Sequence, residues 1–160
     1  MSHYGPGKSC AESPTRIRTL LVEDNPDFLA YASGLLARKP LVEIIGQARD
    51  GFQAVRRATQ TAPDLVLLDI GLPMMNGLEV LKRILSNASK CRIIFLTQEA
   101  SPEFIEAAFE GGASGYILKT RATEDLWPAI LSACEGRFFL GSGLEQPTSL
   151  RSGIQRFAAS

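Results

Sequence analysis

Histidine is almost missing from this chain of 160 residues: His3 is the only one. Its place near the N-terminus removes mechanisms that need a histidine base or a histidine metal cage. Cysteine is scarce as well. Cys10, Cys91 and Cys134 are odd in number and lack the close C-x-x-C spacing of zinc or redox sites, so free thiols in a reducing, cytoplasmic compartment are the simplest reading. Neither sign of charge prevails, because seventeen Lys and Arg offset seventeen Asp and Glu. No global field then draws the chain to nucleic acid or to an anionic membrane, and DNA binding is not expected from this chain alone. Apolar runs are short: Leu65 to Leu68 and Ile93 to Leu96 fall far below the ~18 residues that span a bilayer. The N-terminus, with Gly5, Pro6, Gly7, Ser9 and Ser13, has no apolar stretch of the kind an export signal requires.

Present instead is an average globular composition, 45% hydrophobic and 21% charged, enough to build one packed domain. Residues 1–15 are rich in Gly, Ser and Pro and read as a flexible leader. A repeated rhythm then runs over residues 16–136. Short β-rich runs, Ile17 to Val22, Val42 to Ala48, Leu65 to Asp69, Arg92 to Thr97 and Gly115 to Leu118, alternate with segments of helical spacing. Helix starts are signalled by Asn25-Pro26, Asp50-Gly51, Asn76-Gly77, Ser101-Pro102 and Thr123 with Glu124 and Asp125. Gly111 and Gly112 close the fourth helix, and Pro128 is expected to kink the fifth or delay its start. Five βα units of this kind predict an α/β fold, a doubly wound parallel sheet of five strands with helices on both faces. Residues 137–160, with Gly141, Gly143, Pro147 and Gly153, read as a linker or short tail, at most a short appended helix, without a complete output domain. Trp127, Phe138 and Phe139 read as packing residues rather than ligands.

In such a sheet, functional groups collect at the C-terminal ends of the strands. Those ends carry Glu23 and Asp24, then Asp69, then Thr97, then Lys119. Converging carboxylates repel one another, and burial raises their pKa unless a cation neutralises them. A hard divalent ion such as Mg²⁺, which binds through one or two carboxylates and keeps several waters, answers that need. A carboxylate beside a metal, a hydroxyl and a lysine is also a phosphoryl acceptor: Asp69 as nucleophile, with Thr97 and Lys119 on the remaining oxygens. Each residue taken singly has a plainer reading. Glu23 and Asp24 suit a helix start, Asp69 a turn before Pro73, Thr97 a cap, Lys119 a solvated loop and Tyr116 an ordinary strand aromatic.

The run Leu20-Leu21-Val22-Glu23-Asp24-Asn25, then Leu67-Leu68-Asp69-Ile70-Gly71-Leu72-Pro73-Met74-Met75-Asn76-Gly77, then Phe95-Leu96-Thr97, then Gly112-Ala113-Ser114-Gly115-Tyr116-Ile117-Leu118-Lys119, resembles the receiver domain of bacterial two-component response regulators, most closely the LuxR-type (NarL/FixJ-like) group. The resemblance implies a flavodoxin-like (βα)5 fold with strand order 2-1-3-4-5. It implies Asp69 as phosphoacceptor and Mg²⁺ held by Glu23, Asp24, Asp69 and the carbonyl of Gly71. Thr97 and Lys119 become phosphate-binding groups, and Tyr116 an aromatic switch coupled to Thr97. The implied partners are a sensor histidine kinase or phosphotransfer protein, with a homodimer formed through helices one and five or through the helix-four to helix-five face. Departures are local. Thr120 stands where such domains often have a proline whose cis bond aims the lysine; a cis Lys119–Thr120 bond is expected here, held by the site against its cost of ~2.5–4 kcal/mol, the alternative being a trans bond that aims Lys119 differently. Gly71 and Glu99 border the path of a hydrolytic water, so the phosphoryl lifetime is adjustable at those positions. The chain is expected to be a stand-alone receiver or a part of a longer regulator. A phosphorylation-independent pseudo-receiver is the main alternative. A haloacid-dehalogenase-like phosphatase is disfavoured by Gly71, which stands where those enzymes carry a second aspartate. An FMN carrier is disfavoured by carboxylates where a phosphate would need donors.

Overall fold

The computed structural model describes residues 15–147 and, by backbone, residues 154–156. The leader with His3 and Cys10 lies outside the described residues. Strands fall where the alternation predicts them: β1 (Ile17–Val22), β2 (Val42–Ala48), β3 (Leu65–Leu68), β4 (Arg92–Thr97) and β5 (Gly115–Leu118). Between and after them run α1 (Pro26–Ala37), α2 (Gly51–Thr61), α3 (Gly77–Asn87), α4 (Pro102–Glu110) and α5 (Ala122–Cys134).

Four of the helix starts are built on the cap residues that the sequence offers. Asn25 Oδ1 accepts from the amides of Asp27 and Phe28, Asp50 Oδ1 from Gln53, Asn76 Oδ1 from Glu79 and Ser101 Oγ from Phe104. Each satisfies an amide that the helix itself leaves unpaired. The fifth start differs from expectation. A single 3-10 turn, Lys119–Arg121, feeds directly into α5 at Ala122, and no side chain caps it. Continuous helical backbone makes the cap at Thr123 unnecessary, and Thr123 Oγ1 hydrogen-bonds Tyr31 OH on α1 instead. The helix also runs through Pro128 without ending.

The sheet is parallel throughout in the order β2-β1-β3-β4-β5, as the resemblance implies, and it then continues. Two short parallel strands, β6 (Phe138–Leu140) and β7 (Ile154–Arg156), extend it past β5. They lie in the stretch whose weak period suggested a linker or helix. Three residues in a strand are too few to register as an alternating pattern, and backbone pairing supplies the order that periodicity lacks.

Side chains alternate cleanly across this sheet. Leu20, Val22, Val66, Leu68, Ile93, Phe95, Tyr116 and Leu140 join the core with Ala54, Val80, Leu81, Ile84, Ile105 and Ala108 of α2, α3 and α4. Ile17, Leu21, Leu65, Leu67, Ile94, Leu96, Ile117 and Phe139 face Leu29, Ala32, Leu36, Leu126, Ala129, Ile130 and Ala133 of α1 and α5. Burial of each large side chain stabilises the fold by ~1.5–3 kcal/mol. Trp127 packs at the edge of the second cluster under Lys39, which agrees with a packing role.

Close approach at Gly77 anchors the loop between β3 and α3. A Cβ there would lie 2.4 Å from the Asp69 carbonyl oxygen and 2.7 Å from Ile70 Cα, and the Gly77 amide donates to Ile70 O at 2.8 Å. Gly77→Ala is therefore expected, through overpacking, to lower the unfolding free energy by about 1–3 kcal/mol. Gly34→Ala, in mid-helix with nothing within 4 Å of its Cβ, is expected to raise it by about 0.5–1 kcal/mol. Equilibrium unfolding of both variants checks the contrast.

Candidate functional site

The parallel ladder runs one residue beyond β1 and β3: the Glu23 amide donates to Ala48 O at 2.9 Å and the Asp69 amide to Val22 O at 3.3 Å. Because Val22 and Leu68 are register partners, the next residues on the two strands, Glu23 and Asp69, emerge side by side at the sheet edge. Both are buried, at 5% and 6% exposure. Asp24 follows at the turn into α1 and is exposed. Together the three carboxylates each offer an oxygen within 4.8 Å of the others, an all-oxygen donor set.

Lys119 enters this group from the far end of β5. Its Nζ lies 2.9 Å from the Glu23 carboxylate and 3.1 Å from Asp69 Oδ2, and 4.8 Å above the centroid of the Phe28 ring. No cis peptide bond occurs among the described residues, so the Lys119–Thr120 bond is trans, contrary to expectation. The 3-10 turn that begins at Lys119 supplies the aim without the cost of a cis bond. A trans bond thus does not turn Lys119 away from the carboxylates.

Burial raises the Glu23 pKa, and the neighbouring Asp69 charge adds to the rise. The hydrogen bonds from Lys119 and the Asn25 amide oppose it without cancelling it. Burial pulls the Lys119 ammonium the other way, yet the Glu23 hydrogen bond and the Asp69 charge outweigh it, so Lys119 stays protonated above its ordinary range. The edge therefore holds more negative charge than one lysine neutralises.

Thr97 closes β4 and is 2% exposed. Its Oγ1 accepts from the Glu99 amide at 3.2 Å, while the Glu99 carbonyl accepts from Tyr116 OH at 2.6 Å. One residue of the β4–α4 loop thus grips both the hydroxyl and the phenol. Tyr116 is wholly buried, its ring 5.9 Å from that of Phe95. Burial, with Glu99 and Asp69 nearby, pushes its pKa up, so the phenol remains a donor.

All the residues singled out in the sequence reach this edge, though in two groups: Glu23, Asp24, Asp69 and Lys119 in mutual reach, and Thr97 with Tyr116 joined through Glu99. Gly71 turns its amide toward Asp69 Oδ1 at 3.2 Å, and a Cβ at this residue would meet nothing within 4 Å. Sequence reasoning missed Phe28, the Glu99 carbonyl and Met74. Phe28 is an aromatic in the first turn after the acidic pair, which was a usable signal. A backbone acceptor leaves none. Met74 is 78% exposed and held at φ 72°, a left-handed backbone that glycine adopts more easily, in the loop beside Asp69. Beside Lys119 opens a groove of about 390 Å³ lined by Asn25, Asp27, Phe28, Tyr31, Gln98 and Thr120.

The family model described as the response regulator receiver domain matches residues 19–131. Among curated proteins, the nitrate/nitrite response regulator NarL of Escherichia coli K12 is 34% identical over 125 residues, 78% of this chain and 58% of that protein. The transcriptional regulatory protein LiaR of Bacillus subtilis is 34% identical over 120 residues, 75% of this chain and 57% of that one. The chain thus spans somewhat over half the length of these relatives. Among solved structures, a LuxR-family two-component response regulator from Aurantimonas sp. SI85-9A1 superposes with TM-score 0.75 at 29% identity, covering 88% of this chain and 96% of that one. The signal receiver domain of a NarL response regulator from Mycobacterium tuberculosis gives TM-score 0.73 at 27% identity, covering 78% of this chain and all of that one.

A raised pKa means that ionising Glu23 works against the fold, so its contribution to stability is favourable below the ordinary value of 4.5 and is lost as pH rises through the folded-state pKa. In metal-free protein, Glu23→Gln is accordingly expected to be more stable than wild type at pH 7. The advantage should vanish as the pH falls toward 4.5. Urea titrations at the two pH values test this, and a Gln variant less stable at pH 7 would contradict it.

Proposed function

The chain belongs to the response regulator receiver family of two-component systems, in its LuxR-type group, and from that premise we propose that it accepts a phosphoryl group on Asp69 from a sensor histidine kinase or phosphotransfer protein. The observation that carries this reading is Lys119 Nζ bridging two buried carboxylates at the sheet edge, at 2.9 and 3.1 Å. A lysine so held is charged, oriented and next to the nucleophile before any phosphate arrives.

The donor set fits Mg²⁺. Glu23, Asp24 and Asp69 offer oxygens only, burial leaves Glu23 short of positive charge, and the carbonyl of Gly71, two residues past Asp69, would be a fourth oxygen. When bound, Mg²⁺ supplies neutralisation of the phosphoryl oxygens and of the carboxylate cluster. Within the chain, one oxygen of Asp69 forms the new P–O bond while the P–N bond to the donor imidazole breaks. The electron pair leaves with the imidazole, which takes a proton from solvent. Lys119 gives up part of its grip on Glu23 to donate to the incoming phosphoryl oxygens, and Thr97 Oγ1 donates to another. Thr97 then pulls on Glu99, and Glu99 on Tyr116, so the α4–β5–α5 side registers the event. The role is signalling rather than metabolism.

The output is binding of a partner or a homodimer. Among the described residues no helix is long and apolar enough to cross a membrane. Incubation with acetyl phosphate and Mg²⁺ is expected to add a single phosphate to the intact mass, and the adduct should need both the metal and Asp69, disappearing in Asp69→Ala. A folded protein that takes no adduct would overturn the reading in favour of a phosphorylation-independent binding module.

A further inference from the structure

Past β5 the chain returns to the sheet by a route held on a buried carboxylate. Asp125, in the first turns of α5, is 0% exposed. Its Oδ2 accepts from both the amide and the hydroxyl of Ser142, each at 2.8 Å, while Oδ1 is buried with no partner. Ser142 lies two residues past the end of β6, and Gly141 between them approaches so closely that a Cβ would lie 3.0 Å from Asp125 Oδ2 and 3.1 Å from Ile117 Cα. The strand pairs with β5 on one side and with β7 on the other. Phe139 donates to Ser114 O at 3.0 Å and Gly141 to Tyr116 O at 2.9 Å. Its register sets Leu140 opposite Tyr116, on the same face and on the outer side of β5. Leu140 and Leu144 belong to the same core cluster as Tyr116.

We propose that β6 is a strap across the outer edge of β5 that keeps Tyr116 inward, that Asp125 is its latch, and that phosphoryl transfer to Asp69 tightens it. The last step rests on the receiver reading above; the strap and latch do not. Tyr116 is pinned from two sides, by the Glu99 carbonyl at its hydroxyl and by Leu140 beside its ring position. For the ring to swing away from Phe95 toward the sheet edge, β6 must peel off. The latch is suited to opening, because release hydrates Asp125 Oδ1, an oxygen with no partner when the strap is closed.

Coupling of this kind runs both ways. If a phosphoryl group draws Thr97 in and, through Glu99, holds the already buried Tyr116 more firmly, β6 docks more tightly, and a loosened β6 weakens the binding of a phosphoryl mimic.

Hydrogen exchange of the full chain tests the proposal at the amides of Phe139, Gly141 and Ser142, with core amides of β3 and β4 as controls for folding. Asp125→Ala is expected to speed exchange at the β6 amides about tenfold or more and leave the controls unchanged. Ser142→Ala, which removes only the hydroxyl donor, is expected to speed them by a few-fold. Beryllofluoride with Mg²⁺ is expected to slow the same amides in wild type and to bind several-fold more weakly to Asp125→Ala. Unchanged β6 exchange in both variants would overturn the latch. Wild type that binds beryllofluoride, or takes phosphate on Asp69, with no change at β6 would overturn the coupling while leaving the receiver reading intact. Absence of any adduct or mimic binding would overturn the receiver reading and the coupling with it, and the latch would then stand or fall on the two variants.

Discussion

Two carboxylates delivered side by side at the end of a parallel sheet, and almost out of water, repel each other, and the rest of this edge is arranged around that repulsion. Glu23 and Asp69 emerge together because β1 and β3 are register partners up to Val22 and Leu68. Lys119 crosses from β5 to sit between them, and Phe28 lies against its ammonium. Even so, Glu23 remains harder to ionise than an ordinary glutamate. Such an edge is an incomplete ionic cluster, stable enough to fold and still in deficit of positive charge. Under the proposed function, a divalent cation would relieve that deficit and so let a dianionic phosphoryl group gather beside the lysine.

From there the structure carries a local event outward through few, discrete contacts. Glu99 holds Thr97 with its amide and Tyr116 with its carbonyl, so a pull on one is felt by the other. Tyr116 in turn lies under Phe95 on one side and opposite Leu140 on the other. Close approach at Gly77 and at Gly141 makes both ends of this path stiff: one clamps the loop that carries Asp69, the other clamps the turn that follows β6. Within the loop that follows Asp69, Met74 keeps a left-handed backbone and is exposed to solvent.

Much of this was legible from the residues alone. β-rich runs bounded by cap residues placed the first five strands to within a residue, and the polar groups at their ends marked the edge to examine. Where the reading departed from the structure, the signal was absent or outvoted. The start of α5 was assigned to Thr123 on cap chemistry, but a 3-10 turn from Lys119 made a cap superfluous. A cis bond was expected at Thr120, yet that same turn aims the lysine with a trans bond. β6 is three residues long, too short for a period, and Asp125 reads in the sequence only as part of a helix start, with nothing to mark it as buried.

The division has a physical basis. Local patterns, apolar period, caps and the order of charged residues at strand ends, depend on neighbours in the chain, and these were enough to determine an α/β fold with an acidic edge, a hydroxyl and a lysine. Contacts between residues far apart in the chain depend on register and on the space left after packing. Lys119 reaches Glu23 across 96 residues, Tyr116 finds a backbone carbonyl rather than a side chain, and Asp125 meets Ser142 only once β6 has paired with β5. The chemistry available at the site was therefore written in the sequence. Which groups hold one another there, and what covers the edge of β5, was decided by the tertiary structure.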